Sequence, residues 1–145
     1  DHKSWDSYTS TGLATLRRDG FVSMNTKSDG DLTTHNIVFN SNYFFVNADA
    51  KGELKVELQD TNGKVIPGYS KQDCIPMKIN STKYLISWKN NKSVSKLRNK
   101  EIKVKFYLTN GDLYSFWVSK WLTGESNGYT AGGGPRLNAS GIDKK

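Results

Sequence analysis

Two stretches flanking Asn110-Gly111 carry cations and aromatic rings in phase, with Lys103, Lys105 and Tyr107 before it and Tyr114 and Phe116 after it. Residues two apart on a strand share a face, so the pattern predicts ammonium groups and flat rings presented together. Such a face can do one kind of chemistry well. The cations pair with sulfate, carboxylate or phosphate, and the rings stack on flat apolar surfaces such as a pyranose face. Arg17 and Arg18, adjacent in the chain, offer more of the same cationic contact, and Trp121 and Tyr129, beyond the last expected strand, offer more rings.

Catalytic patterns are weaker. Glycoside hydrolysis needs two carboxyl groups facing each other across a cleft, and nothing in the spacing of the acids pairs any two of them. Asp19, Asp29, Asp31, Asp49 and Asp73 fall at expected turns or strand ends, where Asp commonly bonds its own backbone. Two histidines, His2 and His35, are too few for a triad or a His-rich metal site. The glycines of Ala131 to Pro135 precede no helix and lack the Lys and Ser/Thr of a phosphate-binding loop. The expectation is a chain that is not an enzyme and needs no cofactor. The oxygen-rich Ser28-Asp29-Gly30-Asp31 could supply hard ligands to a structural calcium ion.

What must position these residues follows from composition. A chain of 145 residues is one domain's worth. Its apolar share of 35% is low and its aromatic share of 12% high, with Gly, Asn, Ser and Thr abundant, which suits short strands joined by polar turns. There are 21 Lys plus Arg against 14 Asp plus Glu. The excess is local. From Lys78 to Lys105 there are nine basic residues and one acid, Glu101. Such a field attracts nucleic acid, anionic membrane or charged glycans, or serves solubility alone. Cys74 is the only cysteine, so no internal disulfide forms. No apolar run reaches the length of a membrane-spanning helix. Asp1-His2-Lys3 is not a signal peptide, so export implies a signal already removed. Asn-x-Ser/Thr triplets start at Asn80, Asn91 and Asn138, a number that chance explains in so polar a chain.

Alternation with a period of two predicts strands over 13–18, 20–24, 32–39, 43–50, 53–60, 65–69, 75–79, 83–89, 101–109 and 113–119. Asn62-Gly63 and Asn110-Gly111 each read as a two-residue hairpin loop. If the second is one, Ile102, Val104, Phe106, Leu108, Leu113, Ser115 and Trp117 share an inner face, with the lysines and tyrosines opposite. Leu54, Val56 and Leu58 point inward, as do Tyr84, Ile86 and Trp88, while Asn90 to Lys100 reads as a basic, mobile loop. About ten strands in one domain do not stay one open sheet, so the expected fold is all-β, an antiparallel two-sheet β-sandwich of jelly-roll type. It should span residues 13–135, after a leader at 1–12 and before a tail at 136–145.

The opening Leu13-Ala-Thr-Leu-Arg-Arg-Asp-Gly-Phe-Val-Ser-Met24 and later blocks carry a family likeness. The blocks include Phe45-Val-Asn-Ala-Asp49, Lys64-Val-Ile-Pro-Gly-Tyr-Ser70, Phe106-Tyr-Leu-Thr-Asn-Gly-Asp-Leu-Tyr-Ser-Phe-Trp-Val-Ser119 and Gly132 to Pro135. In order and spacing they resemble the C-terminal β-sandwich domain of five-bladed propeller proteins related to family 32 and family 43 glycoside hydrolases. The resemblance covers about Leu13 to Pro135 and implies a sandwich that packs beside a propeller or binds sugar as a carbohydrate-binding module. It implies secretion, with a catalytic domain elsewhere in the parent protein. The dense basic segment departs from that family and points to an anionic, sulfated or uronic, polysaccharide.

The expected function is therefore non-catalytic polysaccharide binding, with Arg17, Arg18, Lys103, Lys105, Tyr107, Tyr114, Trp121 and Tyr129 as contacts. Membrane is not an expected partner. A structural accessory domain that binds nothing is the alternative, and a single-stranded nucleic-acid binder a less favoured one.

Overall fold

The computed structural model describes residues 11–126, so the leader through Ser10 and everything after Ser126 lie outside it. The described chain is all-β. Four strands, β1 (Met24–Thr33), β2 (Tyr43–Gln59), β3 (Met77–Leu85) and β4 (Lys103–Ser119), form one antiparallel sheet in the order β1-β4-β2-β3. One 3₁₀ turn, Ser95–Leu97, is the only named helical element among the described residues.

This corrects the expected two-sheet sandwich: the sheet is single and curls into a half-barrel around its own core. The physical reason is that signals resembling turns are bulges. Asn110 has φ 47°, yet the strand continues through it, with Gly111 paired to Ala50 on one side and Thr26 on the other. Asn110-Gly111 is therefore no hairpin loop. Opposite it, β2 skips Lys51 and Gly52 in the ladder, so the expected strands 43–50 and 53–60 are one. The two strands approach so closely here that a Cβ on Gly111 would collide with the Asp49 carbonyl oxygen, and one on Gly52 with that of Thr109.

At Asn62-Gly63 a turn does form, but its loop has three residues. The Asp60 N–H donates to the Lys64 carbonyl at 2.9 Å and the Gly63 N–H to that of Asp60 at 3.0 Å. Gly63 supplies the left-handed residue at φ 82°, while the Asp60 carboxylate accepts the N–H groups of Asn62 and Lys64. The expected strands 13–18 and 65–69 are absent, and 32–39 is strand only through Thr33.

The inner face follows the alternation along β2 and β4 where no bulge intervenes, whereas Tyr84 near the end of β3, expected inward, is 37% exposed. Leu54, Val56 and Leu58 of β2 and Ile102, Val104, Phe106 and Leu108 along β4 are all buried. The open side of the half-barrel is closed by Tyr69, Cys74, Ile86, Trp88, Val94 and Leu97 from the connecting segments. Trp88 anchors the closure, its indole N–H donating to the Val56 carbonyl at 3.0 Å and its ring meeting Tyr69 edge-on at 5.1 Å. Cys74 is buried beside it, and burial pushes its thiol up to about 11, so it serves as a small hydrophobe. The basic segment 90–100, expected as mobile, is instead tied down. Val94 donates to the Asn42 carbonyl and Asn99 to that of Phe39, with the side chains of Val94 and Leu97 in the core.

Candidate functional site

A second bulge decides the outer face. Asn47 pairs with Ser115 and Ala48 with Leu113, leaving Tyr114 as the extra residue in β4. Beyond it the phase reverses. Phe116, expected among the exposed rings, turns inward and stacks on Phe44 at 5.6 Å, whereas Trp117, expected in the core, turns outward and stacks on Phe45 at 5.6 Å. Ser115 goes outward with it, opposite the buried amide of Asn47.

The outer face has two halves. In the first, Lys105 and Tyr107 stand side by side as expected, joined by residues that sequence spacing did not single out. Lys71, from the segment after the Asn62-Gly63 turn, places its ammonium 4.1 Å from the Tyr107 ring centre, and Lys105 places its own at 5.1 Å. The Tyr107 hydroxyl donates to the nearly buried Glu57 carboxylate at 3.2 Å, which also accepts the Gln59 amide and the Lys71 backbone N–H. Burial first, and the Glu57 charge second, raise the Tyr107 phenol above its ordinary value. Lys105 is itself paired with Asp31 at 3.2 Å, and the hydrogen bond to that carboxylate raises its pKa. Lys55, paired with Tyr107 in the ladder, meets Glu53 at 3.1 Å, so three acids, Asp31, Glu53 and Glu57, stand among the lysines of this half. A sugar stacking on the ring face under these ammonium groups must displace them. Lys103, opposite Gln59, is half-buried and borders a shallow polar recess with Thr34, His35 and Asn36.

The second half is covered. Residues 17–20 make a tight turn, with Asp19 at φ 49°, and lay Arg17 across three strands. Its guanidinium donates to Asn47 Oδ1 and Asn80 Oδ1, both at 2.6 Å, and to the Ala48 carbonyl at 3.1 Å, and it lies over the Tyr114 ring. Arg17 and Tyr114, both expected as ligand contacts, are spent on each other. Arg18 pairs with Asp19 at 3.7 Å, and its carbonyl accepts the Asn47 amide. Along the strand, Tyr107 and Tyr114 stand about 20 Å apart, so the expected contacts do not form one platform.

Trp121 remains open, its residue 55% exposed on a tight turn. Tyr129 lies outside the described residues. Asp29 and Asp31, proposed as calcium ligands, lie within β1 rather than a turn. Asp29 accepts the Thr109 hydroxyl at 2.6 Å and Asp31 takes Lys105. Among the described residues no group of three or more His, Cys, Asp or Glu could hold a metal ion. An apolar recess between β1 and β4, lined by Met24, Leu32, Phe106, Leu108 and Leu113, measures only about 80 Å³, well below the size of ordinary ligand pockets.

The cations that stay unspent come from the basic segment. Among the described residues only Lys105 of its nine has a carboxylate partner; Lys78, Lys83, Lys89, Lys92, Lys96, Arg98 and Lys100 are exposed without one, Lys83 donating to the Thr123 carbonyl and Arg98 to that of Ser95. Their density was legible in the sequence. Of these seven, Lys78 and Lys83 alone stand on β3, and the rest lie outside the sheet.

Fold and surface together define an all-β protein built on one curled four-stranded sheet with a cationic margin that no described carboxylate neutralises. The chain matches no protein-family model, no curated protein and no solved structure.

Proposed function

We propose that the protein is a secreted, non-catalytic module that holds an anionic polysaccharide, sulfated or uronic, for a catalytic domain of the same parent protein. One observation carries this reading: seven exposed cations between Lys78 and Lys100 have no carboxylate to neutralise them among the described residues. A field of that density concentrates a polyanion, and tethering an enzyme to its polymer raises the local concentration of both. The resemblance to the C-terminal domains of propeller glycosidases supports the extracellular setting.

Affinity electrophoresis through gels containing carrageenan, alginate, heparin, neutral dextran or no polymer tests it. Retardation by the anionic polymers only, weakening as salt rises, is the expected result. Equal mobility in every gel overturns it, and a shift of oligo-dT without any retardation by glycans favours nucleic acid instead.

A structural role is the second reading, favoured by the apolar side chains that the N-terminal segment turns to solvent. Phe21 is 76% and Val22 78% exposed, with Leu13, Leu16 and Met24 also open. So many exposed apolar groups in one short segment suit contact with a neighbouring domain.

A further inference from the structure

We infer that the anionic polymer is held at the margin where β2 begins and β4 ends, by Trp121 with Lys92, Lys96 and Lys120, and not on the face around Tyr107. The inference rests on the reading above and says where that ligand sits.

Asn42 ties the parts together. Its N–H donates to the Ser119 carbonyl at 2.9 Å and its side-chain amide to that of Lys120 at 3.2 Å. On the other side its carbonyl accepts the Val94 N–H at 2.7 Å and the Ser93 hydroxyl at 3.0 Å. The end of β4 and the basic segment are thus neighbours of one residue, two ladder spacings or about 10 Å apart. A short oligosaccharide spans that distance.

The side chains are presented rigidly. Val94, just before the 3₁₀ turn, and Leu97, its last residue, are buried while Lys96 between them is exposed, as is Lys92 two residues before Val94. Across Asn42, Ser119 is buried and its hydroxyl takes the Trp121 N–H at 3.1 Å, while the Gly124 N–H closes a turn on the Trp121 carbonyl. Gly124, at φ 80°, lets that turn close. The indole therefore stands in water on a fixed backbone, and its N–H has no partner among the described residues. An open ring takes the apolar face of a sugar, and exposed ammonium groups on the segments that Asn42 joins take sulfate or carboxylate. The face around Tyr107 offers neither, because its ring and its cations already satisfy each other.

Binding of dextran sulfate, neutral dextran and inorganic polyphosphate to the full chain, measured by titration calorimetry, tests the assignment. Trp121→Ala and the triple change Lys92→Ala, Lys96→Ala, Lys120→Ala are compared with Lys105→Ala, after thermal melts show each folded. Expected is at least tenfold weaker dextran sulfate binding for both margin variants and less than twofold change for Lys105→Ala. Polyphosphate, which has charge but no sugar face, should lose affinity with the triple change and keep it with Trp121→Ala. If Trp121→Ala binds dextran sulfate as the parent does, or only Lys105→Ala weakens it, the assignment is overturned while the polysaccharide reading stands. If the parent chain binds neither dextran sulfate nor alginate, the polysaccharide reading itself falls.

Discussion

The guanidinium of Arg17 lies 4.7 Å from the centre of the Tyr114 ring, and in the same position it bonds side chains of β2 and β3. A side chain engaged on that many fronts is a latch for the N-terminal segment. Removing it leaves the buried Asn47 carbonyl oxygen without its donor, which costs about 2 kcal/mol. Arg17→Ala should lower stability by about that amount in urea denaturation and leave the salt dependence of polyanion binding unchanged. Arg17→Lys should not restore stability, because a point charge cannot replace the planar fork. Full rescue by lysine would show that charge alone matters.

Trp88→Ala should cost about 3–5 kcal/mol, since it empties a fully buried site and removes the donor to the Val56 carbonyl. Trp88→Phe should cost clearly less, keeping most of the volume but losing that bond. Equal losses in chemical denaturation would mean the hydrogen bond contributes the whole effect.

Gly111→Ala should destabilise by about 2–3 kcal/mol, because its new methyl group meets the backbone of Asp49 rather than a side chain that can turn away. Gly12→Ala, where nothing lies within 4 Å, serves as the control and should be close to neutral. A neutral Gly111→Ala would argue that β2 and β4 are not in close contact there.

The Asp112 carboxylate accepts the Ser23 hydroxyl at 2.7 Å and the Asn25 amide at 3.0 Å, and these bonds hold its pKa below the ordinary value. A lowered folded pKa means stability that is present above the unfolded value of about 3.9 and is lost as pH falls through the folded one. Asp112→Asn should therefore melt below the parent at pH 7, with the gap closing as the pH drops under about 4. A gap that persists unchanged at the lowest pH would show the carboxylate charge to be irrelevant.

Much of the inner face was legible because burial imposes alternation: Leu54, Val56 and Leu58, and Ile102 through Leu108, sit where a period of two puts them. At Asn110 the connection differs from the expected hairpin although Leu108 and Leu113 keep their inward phase, since a bulge and a tight turn favour the same residues and differ only in what lies across the ladder, and at Tyr114 the phase itself reverses. That single ambiguity turned two long strands into four short ones and one sheet into two. The candidate site suffered in the same way. Lys105 and Tyr107 are neighbours as their spacing implies, but Asp31, Glu57 and Lys71 reach them from other segments. Nothing local in the sequence announces that neutralisation. Likewise, the fate of Arg17 depends on Asn47 and Asn80, far along the chain.

Gly52 and Gly111 bear on how this chain can change. Between the pairs Ala50–Gly111 and Glu53–Thr109, β2 runs through two residues and β4 through one, so the crease absorbs a one-residue excess of β2 while side chains on both sides of it keep a common inside. Deleting one residue from either strand alone would turn half of that strand inside out. Length changes near the crease therefore reset the phase of everything beyond them, whereas the ends of the strands are free to grow.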